Sequence, residues 1–86
     1  MKITYDAVKN MANQAKHGIS FERIHDFDWS RAVIVKDERK DYGEKRRRAI
    51  GYIGNRLYVF VYTVREGGIR AISLRKANDR ERKQYE

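Results

Sequence analysis

Residues 54–77 read GNRLYVFVYTVREGGIRAISLRKA, and this stretch decides the fold. Apolar and polar side chains alternate over residues 56–65 and again over residues 69–76, which predicts two β-strands. Gly54-Asn55 precedes the first strand and Gly67-Gly68 separates the two, and both pairs are typical of two-residue hairpin turns. The stretch therefore predicts antiparallel hairpins whose strand ends carry arginines.

Three segments upstream of this stretch are also predicted to be strands, namely residues 3–5, 32–35 and 45–53. If Ile53 faces Arg56 across the first turn, the numbers of opposed residues add up to about 109. A second turn at Gly67-Gly68 makes the corresponding sum about 135. This register predicts that Arg65 lies opposite Glu44 on one side and opposite Arg70 on the other.

The same register divides the sheet into two faces, because successive side chains of a strand point to opposite sides. One face is predicted to be the core: Ile50, Tyr52, Leu57, Val59, Val61, Ile72 and Leu74. The other is predicted to be polar and aromatic at once: Arg47, Tyr58, Phe60, Tyr62, Ser73 and Arg75. Two interpretations of its aromatic rings remain open, namely stacking on nucleic-acid bases and contact with a partner protein.

Two helices are predicted before the hairpins. Asp6 is a favourable N-cap for a helix over residues 7–16, and Gly18 is suited to end it in a left-handed conformation. Ser20 is the expected cap of a second, short helix that reaches Trp29.

The remaining segment, residues 77–86, has a helical composition, with Asn78 or Asp79 as its cap. The predicted fold class is therefore α+β, with two N-terminal helices packed on an antiparallel sheet and a short C-terminal helix. We expect one domain over residues 1–86, because a chain of this length buries a single modest core.

The composition limits the classes of function that this chain can have. The 86 residues include 20 Lys and Arg, 12 Asp and Glu, six Tyr and no Cys, for a net charge of +8. A small basic domain with interleaved tyrosines suggests nucleic acid, an anionic surface or an acidic protein as the partner. The lack of cysteine excludes a disulfide framework and a thiolate metal site. No signal peptide is recognisable, and no apolar run approaches the ~20 residues of a membrane span, so we expect a cytoplasmic protein with no membrane partner.

No metal site and no cofactor are predicted, because His17 and His25 lack a carboxylate or a second histidine at ligand spacing. The remaining catalytic option is metal-independent phosphoryl transfer on RNA, whose 2′-OH is an internal nucleophile. Such a reaction needs a base, an acid and cations that stabilise the phosphorane. His17 is the candidate base or acid because imidazole titrates near neutrality. Its alternative role is to stabilise the end of a helix.

Four other side chains are candidates for the same site. Arg65 and Arg75 are suited to grip a phosphate, although solvated strand ends are the alternative. Glu44 is expected to orient Arg65 or to act as a base, unless the two form an ordinary cross-strand ion pair. Tyr85 reaches back to the site or packs the last helix. The basic run over residues 45–48 indicates a phosphate track. The predicted RNA-binding residues are Arg46, Arg47, Arg70, Ser73, Lys76 and Tyr85.

Five short motifs follow one another along the chain: Lys16-His17-Gly18-Ile19-Ser20-Phe21, Tyr42-Gly43-Glu44-x-Arg46, Thr63-x-Arg65, Ile72-Ser73-x-Arg75-x-Ala77 and Glu81-Arg82-x-x-Tyr85. Together they resemble the BrnT family of bacterial toxins. The resemblance implies a RelE-like fold and a ribonuclease that blocks translation. It also implies a BrnA-type antitoxin that carries a DNA-binding domain, so that the complex represses its own operon. By this resemblance His17, Glu44, Arg65 and Arg75 lie in the active-site region, and Tyr85 matches more loosely.

Three hypotheses follow. The first is a toxin that cleaves RNA by 2′-OH attack without a metal ion, with Arg65 and Arg75 on the phosphorane and His17 or Glu44 moving the proton. Its partner is expected to be acidic or amphipathic and to cover the Tyr58–Tyr62 face or the arginines. The second is a non-catalytic RNA- or DNA-binding module. The third is an interaction domain that keeps the toxin fold without activity.

Overall fold

The computed structural model describes residues 2–39 and 41–86. Within these residues the chain forms five strands, two α-helices and two 3₁₀ segments. In chain order they are β1 (Lys2–Thr4), α1 (Ala7–His17), the 3₁₀ segments Phe21–Asp26 and Trp29–Arg31, β2 (Val33–Lys36), β3 (Arg46–Ile53), β4 (Arg56–Arg65), β5 (Gly68–Lys76) and α2 (Asp79–Tyr85). The strands form one sheet in the order β1-β5-β4-β3-β2, which confirms the α+β class.

The sheet is mixed, so the prediction of a purely antiparallel sheet was wrong. β2 to β5 pair antiparallel, but β1 runs parallel to β5 at the edge of the sheet. This edge position requires glycine at residue 68, because a Cβ there would lie 2.0 Å from the backbone oxygen of Lys2. The close approach of two backbones thus lets the N-terminus dock on the last strand.

In the part of the chain that the structure describes, one α-helix precedes the hairpins, so the predicted second helix was also wrong. Ser20 does cap the segment after α1, since its side chain accepts a hydrogen bond from the Glu22 N–H. However, Phe21, Ile24 and Phe27 are buried at every third position, which is the period of a 3₁₀ helix. Asp28 then caps the separate 3₁₀ segment Trp29–Arg31, so the first segment does not continue to Trp29.

Helix α1 is anchored by a polar residue. Its apolar side chains Val8 and Met11 are 74% and 70% exposed, whereas Asn13 is buried. The Asn13 amide donates to the carbonyl oxygens of Ile19 (3.0 Å) and Leu74 (2.9 Å). It also accepts from the Leu74 N–H (3.1 Å), which fixes the helix against β5.

The predicted register holds for the first hairpin and fails for the second. Ile53 pairs with Arg56, as expected. In the second hairpin Arg65 pairs with Gly68 and not with Arg70, and a register shift follows between Val61 and Tyr62. A bulge of this kind adds one residue to a strand, so the side chains beyond it change faces relative to the prediction.

The consequence is that β5 presents the opposite faces to those predicted from Ser73 onward, beyond the bulge. Ser73 pairs with Val61 and Arg75 pairs with Val59, so both lie on the side away from the aromatic residues of β4. Leu74 pairs with Phe60 instead, on the aromatic side.

The aromatic side is the main core, so the prediction of an exposed aromatic face was wrong. Tyr58, Phe60 and Tyr62 are only 8%, 0% and 6% exposed. They pack against the segment after α1, where Trp29 makes edge contacts with the Phe60 ring (6.0 Å between centroids) and the Tyr62 ring (5.6 Å). These rings are therefore not available to stack on bases or to bind a partner. We call this side the helix-covered face.

The other side, the open face, has a smaller core. Leu57, Val59 and Ala77 are buried there, with Tyr52 and Tyr85 packed against them. The two tyrosine rings meet edge to face at 5.8 Å. Helix α2 therefore covers one end of the open face, while the rest carries polar and charged side chains.

Candidate functional site

Among the described residues, five arginines of strands β3 to β5 point to the open face, and strand pairing puts them there. Side chains of directly paired residues point to the same side of a sheet. Across the sheet, Arg46 pairs with Thr63, which pairs with Arg70. Arg48 and Arg75 lie on this side because they pair with Val61 and Val59. Arg65 follows Thr63 by two positions in β4. We call the set the arginine face: Arg46, Arg48, Arg65, Arg70 and Arg75.

This face is strongly positive. Among the described residues, the carboxylates that pair with its arginines are Glu44 and Glu81. Five guanidinium groups and two carboxylates leave three positive charges without a paired carboxylate. An array of fixed cations on a rigid sheet is suited to a polyanion, because the strands hold the charges at regular spacings.

Arg75 is held most firmly. Its Nη1 and Nη2 atoms donate to the two carboxylate oxygens of Glu81 at 2.8 and 2.9 Å. Glu81 also accepts from the Asn78 N–H at 2.9 Å and so completes the capping box of α2. The Arg75 hydrogen bonds lower the pKa of Glu81, and the Asn78 N–H adds to this effect. α2 therefore fixes the orientation of Arg75.

The ion pair between Glu44 and Arg65 lies at the other end of the face. Arg65 Nη2 is 3.1 Å from Glu44 Oε2, and Arg65 Nε donates to the Thr63 hydroxyl at 3.3 Å. The predicted partners thus meet, although Glu44 precedes β3 instead of pairing within it. The side chain of Arg65 is 52% exposed, so the pair is open to solvent.

The two ends of the arginine face are far apart. Arg65 and Val59, the residue that pairs with Arg75, are six positions apart in β4. At a rise of about 3.3 Å per residue this is roughly 20 Å between backbones. Arg65 and Arg75 are therefore suited to different phosphate groups of one chain.

His17 lies near Arg75, at the edge of β5. It ends α1 and lines a shallow groove of about 250 Å³ with Lys16, Ile72 and Ser73. Partial burial lowers the pKa of His17 below 6.5, and the positive charges of Lys16 and Arg75 lower it further. The groove thus holds a proton acceptor and a hydroxyl, while Arg75 lies outside it but near enough for its charge to act on His17. Glu44 does not line this groove either.

Three predicted RNA-binding residues lie elsewhere. Arg47 pairs with Tyr62 and Lys76 pairs with Tyr58, so both point to the helix-covered side. Tyr85 packs on Tyr52, and its hydroxyl donates a hydrogen bond to the backbone oxygen of Arg31. Its contacts are those of a packing residue of α2.

Two residues of the site were not among the individual candidates from the sequence, although one of them, Arg48, lies in the predicted phosphate track. Arg48 belongs to the basic run at 45–48, and strand alternation alone places it on the same face as Arg46. Glu81 lies in a quoted motif, and its position three residues after Asn78 is the signature of a capping box. Its second role, on Arg75, has no local sequence signal.

Neither a metal cluster nor a membrane-spanning helix is found in the described part of the chain. Over residues 2–39 and 41–86, no three His, Asp, Glu or Cys side chains cluster in a way that suits a metal ion. In the same part of the chain, no helix has the length and apolar character needed to cross a membrane.

Comparison with known proteins bears on this site. A search of curated proteins gave no match. A family model described as the ribonuclease toxin, BrnT, of type II toxin–antitoxin systems matches residues 5–81. This range includes α1, the whole sheet apart from β1, and the part of α2 that holds Arg75. The chain belongs to the BrnT family of ribonuclease toxins of type II toxin–antitoxin systems.

Proposed function

We propose that this toxin is a metal-independent endoribonuclease that cleaves RNA by 2′-OH attack and thereby inhibits translation. The observation that carries the proposal is the groove that holds His17 and Ser73, with the charge of Arg75 acting on His17 from the adjacent end of the arginine face. This arrangement combines a proton acceptor with a held guanidinium beside a surface suited to a polyanion.

The reaction divides into two proton transfers around one phosphorus atom. A base removes the 2′-OH proton while the 2′ oxygen attacks the adjacent phosphorus and forms a P–O2′ bond. The P–O5′ bond breaks, and an acid supplies a proton to the leaving 5′ oxygen. The products are a 2′,3′-cyclic phosphate and a 5′-OH, so no water is consumed in this step.

His17 is the base in this proposal. Its lowered pKa keeps the imidazole neutral near pH 7, which is the form that accepts a proton. Glu44, the alternative base, is engaged with Arg65 at the other end of the face. We assign the Glu44–Arg65 pair to binding the RNA chain beyond the reacting phosphate.

Arg75 is proposed to stabilise the phosphorane. Glu81 engages its Nη1 and Nη2 atoms, and Nη1 also donates to the Lys76 carbonyl oxygen. Among the described contacts, the Nε–H and the second Nη2 proton have no acceptor. These two donors form the parallel fork that suits a phosphate. Ser73 lies one row further along β5, and Arg46 and Arg70 extend the positive surface.

The antitoxin is proposed to be an acidic protein of the BrnA type that covers the arginine face. The family implies an antitoxin partner, and the positive charge of this face selects an acidic one. We propose that operator DNA is bound only through the complex and that the toxin acts in the cytoplasm. A purified complex that retains the full RNA-cleaving activity of the free toxin would contradict direct occlusion.

Analysis of the product ends tests the chemistry. RNA cleaved by the wild-type protein in EDTA is expected to carry 2′,3′-cyclic phosphate and 5′-OH ends. His17→Ala is expected to lower the rate by about 10²- to 10⁴-fold without changing the products. Fragments with 5′-phosphate ends would contradict 2′-OH attack. Salt-dependent RNA binding without cleavage would favour the second hypothesis, a non-catalytic binding module.

A further inference from the structure

Arg48 occupies the middle of the arginine face. It lies in β3 and pairs with Val61 of β4, which pairs with Ser73 of β5. Val61 is only 5% exposed although it lies on the open side of the sheet. Arginine stems commonly cover apolar neighbours and leave the charged head near the surface. The Arg48 guanidinium is therefore positioned near the centre of the face, between its two ends.

The guanidinium of Arg48 has no acceptor among the described residues. Its Nε atom is buried and makes no hydrogen bond to any residue that the structure describes. The other arginines with a buried Nε differ, because Arg56 donates to the Ala77 carbonyl oxygen and Arg46 stacks on the Tyr42 ring at 3.9 Å. Arg65 and Arg75 have carboxylate partners. A buried donor without an acceptor is costly and needs an explanation.

The surroundings of Arg48 favour a bound anion as the acceptor that its guanidinium lacks. Strand pairing places Arg48 on the same side of the sheet as Arg75. The carboxylates of Asp37 and Glu81 are near enough for the Arg48 charge to act on them, but Arg39 and Arg75 already bind these two groups. A partly buried cation whose neighbouring carboxylates are already bound by other arginines gains most from a ligand that carries negative charge and several acceptor oxygens.

We propose that Arg48 binds a backbone phosphate of RNA next to the phosphate held by Arg75. This inference rests on the proposed function for the identity of the polyanion. The planar guanidinium presents its Nη–H donors to the phosphate oxygens, above the apolar floor formed by Val61. Arg48 thus links the reacting end of the face, at Arg75, to the arginines nearer Arg65.

The test compares Arg48→Met with Arg47→Met. Both variants remove one positive charge from the same strand and keep an unbranched side chain, but Arg47 lies on the helix-covered side. The probe is a fluorescein-labelled 2′-O-methyl RNA oligonucleotide, which binds but lacks the nucleophile. Affinity is measured by fluorescence anisotropy at several salt concentrations.

Arg48→Met is expected to weaken binding about tenfold and to reduce the slope of log K against log salt by about 0.7, the value for one phosphate contact on a single strand. Arg47→Met is expected to change affinity by less than about threefold. The melting temperature of Arg48→Met is expected to equal or exceed that of the wild type, since the variant removes a buried donor without an acceptor. Equal weakening by the two variants would overturn the proposal.

The outcomes separate this site from the proposed function. If the oligonucleotide binds through Arg48 but unmodified RNA is not cleaved, the phosphate site stands and the ribonuclease proposal fails. If RNA is cleaved and Arg48→Met matches Arg47→Met, only the phosphate site fails. If the wild-type protein does not bind the oligonucleotide, the phosphate site fails, and cleavage of unmodified RNA decides the ribonuclease proposal. Should Arg48→Met not fold, the Nε–Hε NMR signal of Arg48 in the wild-type protein replaces it. An unchanged signal at saturating oligonucleotide would overturn the proposal.

Discussion

At the residue scale, Asn13 shows how a polar side chain fixes the architecture. β1 covers only residues 68–70 of the outer edge of β5. Further along this edge, the Asn13 amide meets both the N–H and the carbonyl oxygen of Leu74, as the backbone of a neighbouring strand would. Buried backbone groups need such partners, so α1 is attached to the sheet through this one residue more than through its apolar side chains.

Replacing Asn13 with Ala is therefore expected to lower the free energy of unfolding by about 2–4 kcal/mol, because buried groups of Leu74 and Ile19 lose their partners. Urea denaturation followed by circular dichroism measures this. The neighbouring Gln14→Ala changes an exposed helix position and is expected to have an effect within about 0.5 kcal/mol. Similar losses for the two variants would contradict the anchoring role of Asn13.

His17 is the second residue whose surroundings set its chemistry. Burial first, and then the charges of Lys16 and Arg75, lower its pKa below 6.5. Since the neutral imidazole is the proposed base, the cleavage rate is expected to be maintained at neutral pH and to fall as the pH drops through this lowered pKa.

Lys16→Gln removes one of these charges, so it is expected to raise the pKa of His17 and to move the acid limb of the rate profile to higher pH. NMR titration of the His17 ring protons gives the pKa directly. Lys9→Gln is the control, because Lys9 lines the same groove but is not among the causes of the shift. A larger shift in Lys9→Gln than in Lys16→Gln would contradict this electrostatic assignment.

At the element scale, strands β3 to β5 and the first turn are predictable because alternation and Gly-containing pairs are local signals. The second turn lies at Glu66-Gly67 and not at the predicted Gly67-Gly68, because Gly68 already belongs to β5 and pairs with Arg65. The second register is not predictable, because the shift between Val61 and Tyr62 depends on packing across the sheet. The one-residue shift in pairing places Ser73 and Arg75 on the face opposite the aromatic rings. The 3₁₀ form after α1 also depends on tertiary contacts, since Phe21 and Ile24 fit either helix type by spacing alone.

β1 depends on its contact with β5. In Gly68→Ala, the new Cβ would lie 2.0 Å from the Lys2 oxygen and 2.8 Å from its carbonyl carbon, so β1 is expected to leave the sheet. Hydrogen exchange at residues 2–4 is expected to rise markedly, while β3 and β4 stay protected. Gly43→Ala is the control. Alanine is strained there by the positive φ of 73°, but no atom lies within 4 Å of the added Cβ, so the variant creates no contact that could displace β1. Unchanged protection of β1 in Gly68→Ala would contradict this dependence.

At the scale of the whole molecule, the sheet separates an aromatic core from a positively charged surface. The net charge of +8 is visible in the sequence, and it correctly suggests a strongly basic surface. The sequence does not reveal which side of the sheet carries that surface, because tyrosines fit both a core and a base-stacking platform. Burial of Tyr58 and Tyr62 decides this point and leaves the arginines as the exposed feature.

The central claim is that Arg75 serves a metal-independent ribonuclease site. The most direct measurement is the rate of cleavage of a purified RNA in EDTA by the wild type, Arg75→Gln and Arg47→Gln, with circular dichroism as the check on folding. The wild type and Arg47→Gln are expected to cleave at similar rates, and Arg75→Gln is expected to be slower by about 10²-fold or more. Cleavage that disappears in EDTA, or an Arg75→Gln rate equal to that of the wild type, would contradict the claim.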